Sequence, residues 1–151
     1  MTDTPGSRAL DYLALHGVMT LATQGEEGPW AAAVFYANVG FDLYFLSSPA
    51  SRHCRNIAST PAAAATVQDN HTEWREIKGV QLEGAVVELS GDAAARARAL
   101  YGEKFPIVRP SPSTPGPIAD ALEKVRWYKL AATRAYFIDN SAGFGKREQV
   151  L

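Results

Sequence analysis

Hydrophobic positions recur along this chain in short blocks of two different periods. Between Ser7 and His16, Ala9, Leu10, Leu13 and Ala14 fall on one helical face, and Gly17 supplies a stop. Val18 to Thr23 reads as a strand. Gly25-Glu26-Glu27-Gly28 reads as a turn, because glycine accepts the positive φ of a hairpin. Trp30 to Asn38 is a second strand, apolar on both faces and therefore expected to be buried on both. Gly40 to Asp42 turns again into Leu43-Tyr44-Phe45-Leu46. Three strands joined by short turns predict an antiparallel meander.

Ser48-Pro49 predicts a helix start, with serine as N-cap and proline at the first helical position. Pro61 stops this helix after Ser59. Ala62 to Gln68 is a fourth strand, Asp69 to Glu76 a polar loop, and Val80 to Leu89 a long strand. Its apolar residues slip from Val80, Leu82 and Val86 to Val87 and Leu89. A slip beside Gly84 predicts a bulge or sharp bend, as where a sheet coils into a barrel. Asp92 to Tyr101 is helical, with Ala93, Ala97, Leu100 and Tyr101 on one face. Pro106 to Pro117 reads as an extended loop, and Pro117 starts a short helix. Trp127 to Ile138 returns to strand character, interrupted near Ala132-Thr133, and 139–151 forms a polar tail. The order predicts one mainly β domain over 1–151, a six- to seven-stranded antiparallel barrel with flanking helices.

Charge narrows the function classes. Fifteen Lys and Arg against sixteen Asp and Glu leave a net charge of −1. With 46% hydrophobic residues, general disorder is excluded. Nucleic-acid binding through a global positive field is not expected. Any bound anion has to be met by a local cluster. Cys54 is the one cysteine, so no disulfide forms within the chain. No basic, apolar leader opens the sequence, and no run approaches the roughly 18 apolar residues of a spanning helix, which predicts a cytoplasmic chain without a membrane segment. No His or Cys spacing suits a metal, and no nucleophile elbow or phosphate loop occurs.

The most chemically loaded segment is Leu46 to Asn56. A strand ends in Ser47 and Ser48, and a helix bearing Arg52 and Arg55 on one face begins there. Hydroxyls, free helix amides and guanidinium groups together suit a phosphate. The same residues also suit a capped surface helix with solvated arginines, and Cys54 beside them suits either a reactive thiol or a small buried hydrophobe.

Leu43 to Ala65 resembles the flavin split-barrel superfamily, which includes pyridoxamine 5′-phosphate oxidase. Ser51-Arg52-His53 stands where that family has a Ser-Arg-Lys triplet, and Thr60-Pro61 where it often has Asn-Pro. Val80-Gln81-Leu82-Glu83-Gly84 is similar to its Val-Gln-Val-Glu-Gly strand. Phe137 to Asn140, followed by Gly143-Phe144-Gly145-Lys146-Arg147, resembles its terminal strand and tail. The likeness implies a homodimer with FMN at the subunit interface. The phosphate would rest on Ser47, Ser48, Arg52 and His53, beside Ser51. Ala33-Val34-Phe35-Tyr36 would run along the ring, where the small Ala31, Ala33 and Ala37 leave room for it. Trp74, Gln81, Asn140, Phe144, Lys146 and Arg147 would complete the site, the tail residues from the neighbouring subunit.

Two departures alter that expectation. His53 replaces a lysine, so a permanent charge becomes a titratable one, and FMN affinity is expected to fall as pH rises through the histidine range. The tail also lacks the Arg-Leu-His-Asp-Arg of the pyridoxamine phosphate oxidases, and strand two lacks their basic pattern. The missing groups are those that hold the pyridoxal substrate, so that activity is not expected. Two classes stay open: an FMN-dependent oxidoreductase using reduced nicotinamide and a small acceptor, or a binding or sensor protein for flavin, deazaflavin or haem.

Overall fold

The computed structural model describes residues 3–151; Met1 and Thr2, the start of the polar N-terminal stretch, lie outside the described residues. Helix α1 (Pro5–Leu15) opens on a reciprocal cap. The Thr4 hydroxyl accepts from the Ser7 amide at 3.1 Å, and the Ser7 hydroxyl accepts from the Thr4 amide at 2.9 Å. Its apolar face buries Ala9 and Leu13 completely, as their spacing predicts. The hairpin β1 (Val18–Gly25) and β2 (Gly28–Phe35) follows, then β3 (Ala37–Val39) and β4 (Asp42–Ser47). Helix α2 (Arg52–Ser59) leads to β5 (Ala62–Gln68) and the long β6 (Lys78–Leu89). Helices α3 (Gly91–Lys104) and α4 (Gly116–Lys124) precede β7 (Arg126–Asp139) and the short β8 (Arg147–Gln149).

The strands form a sheet in the order β2-β1-β5-β6-β7-β4-β3, with β8 added on β7. The pairings among the described residues are antiparallel. Strands β2 and β3 are consecutive in the chain yet end the path on opposite sides, so the sheet curls into a half-barrel. Tyr36 makes that corner. Its amide donates to the Gly17 carbonyl at 3.0 Å, its hydroxyl donates to the Leu13 carbonyl at 2.7 Å, and its ring is fully buried. Met19, Leu21, Leu43, Phe45, Val67, Val80 and Leu130 fill the interior with Leu13 of α1 and Ile57 of α2. A second apolar layer, including Ala97, Tyr101 and Trp127, lies under α3.

Several expectations change. Trp30 to Asn38 is not one strand buried on both faces. It breaks at Tyr36, and β2 is an edge strand paired, among the described residues, with β1 alone, leaving Trp30 42% and Phe35 57% exposed. Helix α2 does not start at Ser48-Pro49. A turn in which the Ser48 carbonyl accepts from the Ser51 amide at 3.1 Å delays it, and Ser51 caps it by accepting from the Cys54 amide at 3.3 Å. The Trp127–Ile138 stretch is one strand, not two. The interruption near Ala132-Thr133 and the slip beside Gly84 are the same irregularity. Glu83 pairs with Arg134 and Gly84 with Ala132, so Thr133 on β7 is the extra residue. Val80, Leu82 and Val86 stay in phase on β6, whereas β7 switches its buried residues from Tyr128 and Leu130 to Ala135 and Phe137. The tail contributes β8 and a 3-10 turn at Asn140–Ala142, and a second such turn at Trp74–Glu76 ends the polar loop.

Candidate functional site

The structure gathers Ser47, Ser51 and His53 at the junction of β4 and α2. His53 Nε2 lies 2.6 Å from the Ser47 hydroxyl and 3.3 Å from that of Ser51. The two hydroxyls are 3.4 Å apart. Ser48 takes a different part, accepting from the Ala50 amide at 3.2 Å within the turn. His53 is itself buried, as is the next residue, Cys54. Burial alone pushes the Cys54 thiol up, but hydrogen bonds from His53, Ser51, Tyr128 and Ser47 outweigh it and bring the thiol down to about 7. Burial, followed by the hydrogen bond with Cys54, raises the Tyr128 hydroxyl.

Arg52 and Arg55 share a face, as their spacing predicts, and both turn toward the β1–β2 hairpin. The Arg52 guanidinium lies 4.2 Å over the Trp30 ring, donates to the Glu27 carbonyl at 3.0 Å and sits 3.4 Å from the Glu27 carboxylate through Nε. Arg55 approaches the same carboxylate at 3.7 Å. The Arg52 Nε atom is buried and makes no hydrogen bond. Its nearest acceptor is the Glu27 carboxylate of the ion pair, outside hydrogen-bond geometry.

A second surface forms on the outward side of the sheet. Paired residues project to the same face, so two rows cross the strands. One runs Ala33, Thr20, Thr66, Gln81, Tyr136 and Gln149; the next runs Ala31, Ala22, Ala64, Glu83 and Arg134. The β1, β2 and β5 part is a floor of alanine and threonine. The β6–β8 part is a polar wall, where Arg147 donates to Gln81 Oε1 at 3.4 Å and stacks 4.6 Å over Tyr136. A cavity of about 360 Å³ lies on this floor. Of the residues singled out in the sequence, Gln81 and Arg147 line this cavity, and Ala33 shares the Gln81 row by register without lining it. Thr20, Thr66 and Tyr136 belong with them, and the sequence does not mark them, because the four alanines before Thr66 carry no alternation to show which face is outward.

The remaining candidates divide. Val34 points inward opposite Met19, and Phe35 leans on Phe105 at 5.2 Å. Tyr36 does not line a ring site, because its side chain and amide are both used at the barrel corner. Trp74 and Phe144 form an edge-to-face pair at 5.6 Å, with Phe144 82% exposed. Asn140 is buried beneath them as a tie, donating to the Trp74 carbonyl at 3.0 Å and accepting from the Gly145 amide at 3.1 Å. Its amide is thus engaged at both ends, unlike that of a ligand-facing residue. Lys146 lies 3.8 Å from Glu148.

Fold and site together define a split-barrel protein with a hydroxyl–histidine cluster and a flat outward floor. The chain belongs to the pyridoxamine 5′-phosphate oxidase family, whose model matches residues 7–139. Within it, the chain is similar to UPF0306 protein plu4501 of Photorhabdus laumondii, at 30% identity over 138 residues, covering 90% of this chain and 88% of that protein. That relative is not named as an oxidase, in keeping with the altered tail. Among solved structures, a heme binding protein from Mycobacterium smegmatis superposes with a TM-score of 0.76 at 23% identity, over 99% of this chain and 58% of that one. HutZ, a heme storage protein from Vibrio cholerae, gives 0.65 at 17% identity, over 85% of this chain and 89% of that one. Both likenesses concern the fold.

Proposed function

We propose that this protein binds FMN between two copies of the chain and acts as an oxidoreductase. The observation that carries this reading is the alanine–threonine floor closed by Gln81, Arg147 and Tyr136, a surface on which a planar ring can lie against backbone. The residues present fit the group. Ser47, Ser51 and His53 offer hydroxyl and imidazole partners for a phosphate, and the Arg52 guanidinium, held on Glu27 in the single chain, adds a charged donor once that ion pair opens. When bound, FMN supplies hydride chemistry between a reduced nicotinamide and a small acceptor. The chain's own residues anchor, orient and shield. Arg52 and Trp30 lie on the inward side of β2, whereas Ala31 and Ala33 project outward, so the anchor and floor of one chain face apart. A second copy brings an anchor to a floor.

The visible spectrum of the purified protein tests this reading. Bound flavin gives the bands of oxidised flavin, and a protein that stays colourless with added FMN overturns it. Arg52→Ala is expected to weaken FMN by about tenfold or more. Lys124→Ala, on the exposed face of α4, serves as the control and leaves affinity unchanged. Equal losses would sink the anchor assignment. The resemblance to two heme proteins supports a second reading, heme on the same floor, which a Soret band on hemin titration would favour.

A further inference from the structure

A separate hollow lies outside the barrel, between α3 and the β3–β4 end of the sheet. Ala37, Tyr44, Lys129 and Val87 form an outward row there by register, and α3 crosses above it. The hollow encloses about 270 Å³ over Val39, Tyr44, Leu89 and Leu100, with Arg96 of α3 and Lys129 of β7 also lining it. Among the described residues, neither cation makes an ion pair or a side-chain hydrogen bond. Of the acids around it, Glu88 holds Arg126 at 3.2 Å, and Asp92, one turn before Arg96 on α3, makes no ion pair with it. Asp42 shares the outward face, yet lies beyond ion-pair reach of Lys129.

A solvated surface cation alone implies nothing. Two of them lining one apolar hollow define a chemistry, because an apolar body displaces poorly held water while an anionic head meets both charges. We propose that this hollow binds a small carboxylate with an aliphatic or aromatic body. Its volume of about 270 Å³ suits a short acyl chain or a single ring. The hollow is distinct from the flavin floor. The floor occupies the Gln81–Glu83 half of the β6–β7 pairing and the hollow the Val87–Leu89 half, with the Gly84–Thr133 bulge between them.

An NMR titration of the full chain with octanoate, beside its uncharged isostere octanamide, tests the proposal. Octanoate is expected to shift the amides of Val39, Leu89, Ala93 and Leu100 saturably, and octanamide to bind about tenfold more weakly or not at all. Arg96→Ala and Lys129→Ala should each weaken octanoate by a similar factor without disturbing the rest of the spectrum. Ala93→Leu fills the hollow with the charges intact and should abolish binding, which keeps the test open if a charge variant fails to fold. Equal affinity for acid and amide, shifts centred elsewhere, or no saturable shift would each overturn the proposal.

Discussion

Cys54 is pulled two ways. Burial disfavours its thiolate, and four hydrogen-bonding neighbours favour it strongly enough to lower the thiol from 9.0 to about 7. Because the chain has one cysteine, thiolate absorbance reports on this group alone. The folded protein is expected to titrate near 7 and the urea-unfolded chain near its ordinary value. A folded-state value below the unfolded one means that ionisation favours the fold. The stabilisation is fully present above the unfolded value and is lost as pH falls through about 7. Urea midpoints measured from pH 9 down to 6 should therefore decline through this window for the native chain and less for Cys54→Ala. Tyr128→Phe removes one hydrogen bond and should move the thiol midpoint upward. A midpoint that Tyr128→Phe leaves unmoved would show that this contact does not hold the thiolate.

The antiparallel β6–β7 pairing depends on a missing side chain at its bulge. A Cβ built on Gly84 would stand 2.0 Å from the Ala131 carbonyl oxygen and 2.9 Å from the Ala132 Cα, both backbone atoms that cannot swing away. Gly84→Ala is expected to cost about 3 kcal/mol in urea unfolding. Gly116→Ala, where nothing lies within 4 Å, should stabilise by about 0.5 kcal/mol. Equal small effects would place the strain elsewhere. The sequence makes this bulge readable as a slip beside Gly84 and a break at Ala132-Thr133, but not which strand carries the extra residue. That depends on pairing between residues about fifty apart. Helix α1 is readable because its period and its cap are local. The direction of Arg52 and Arg55 is not, since it is set by Glu27 on a distant hairpin turn. Nor does composition separate a strand buried on both faces from an edge strand with an apolar surface, which is how Trp30 to Phe35 reads as interior.

That edge sets the problem of the whole molecule. Strand β2 presents unpaired backbone on one side, and Trp30, Phe35 and the outward alanines leave an apolar surface around it. Natural sheets seldom leave such an edge uncovered. A two-fold pairing through β2 and the floor would cover it in both copies at once and would bring each anchor to the other copy's floor. Ala33→Glu tests both consequences. Ala33 is exposed in the single chain, so the substitution should change subunit stability by no more than about 0.5 kcal/mol. Placed in a covered interface, the same carboxylate meets its own symmetry mate and an apolar floor. Sedimentation is expected to show a dimer for the native chain and for Lys124→Ala, and a monomer for Ala33→Glu, with FMN binding lost in step. A native monomer would remove the shared site. An Ala33→Glu dimer that still binds FMN would move the interface away from β2, and an Ala33→Glu dimer that has lost FMN would keep the floor as the ring site while separating it from assembly.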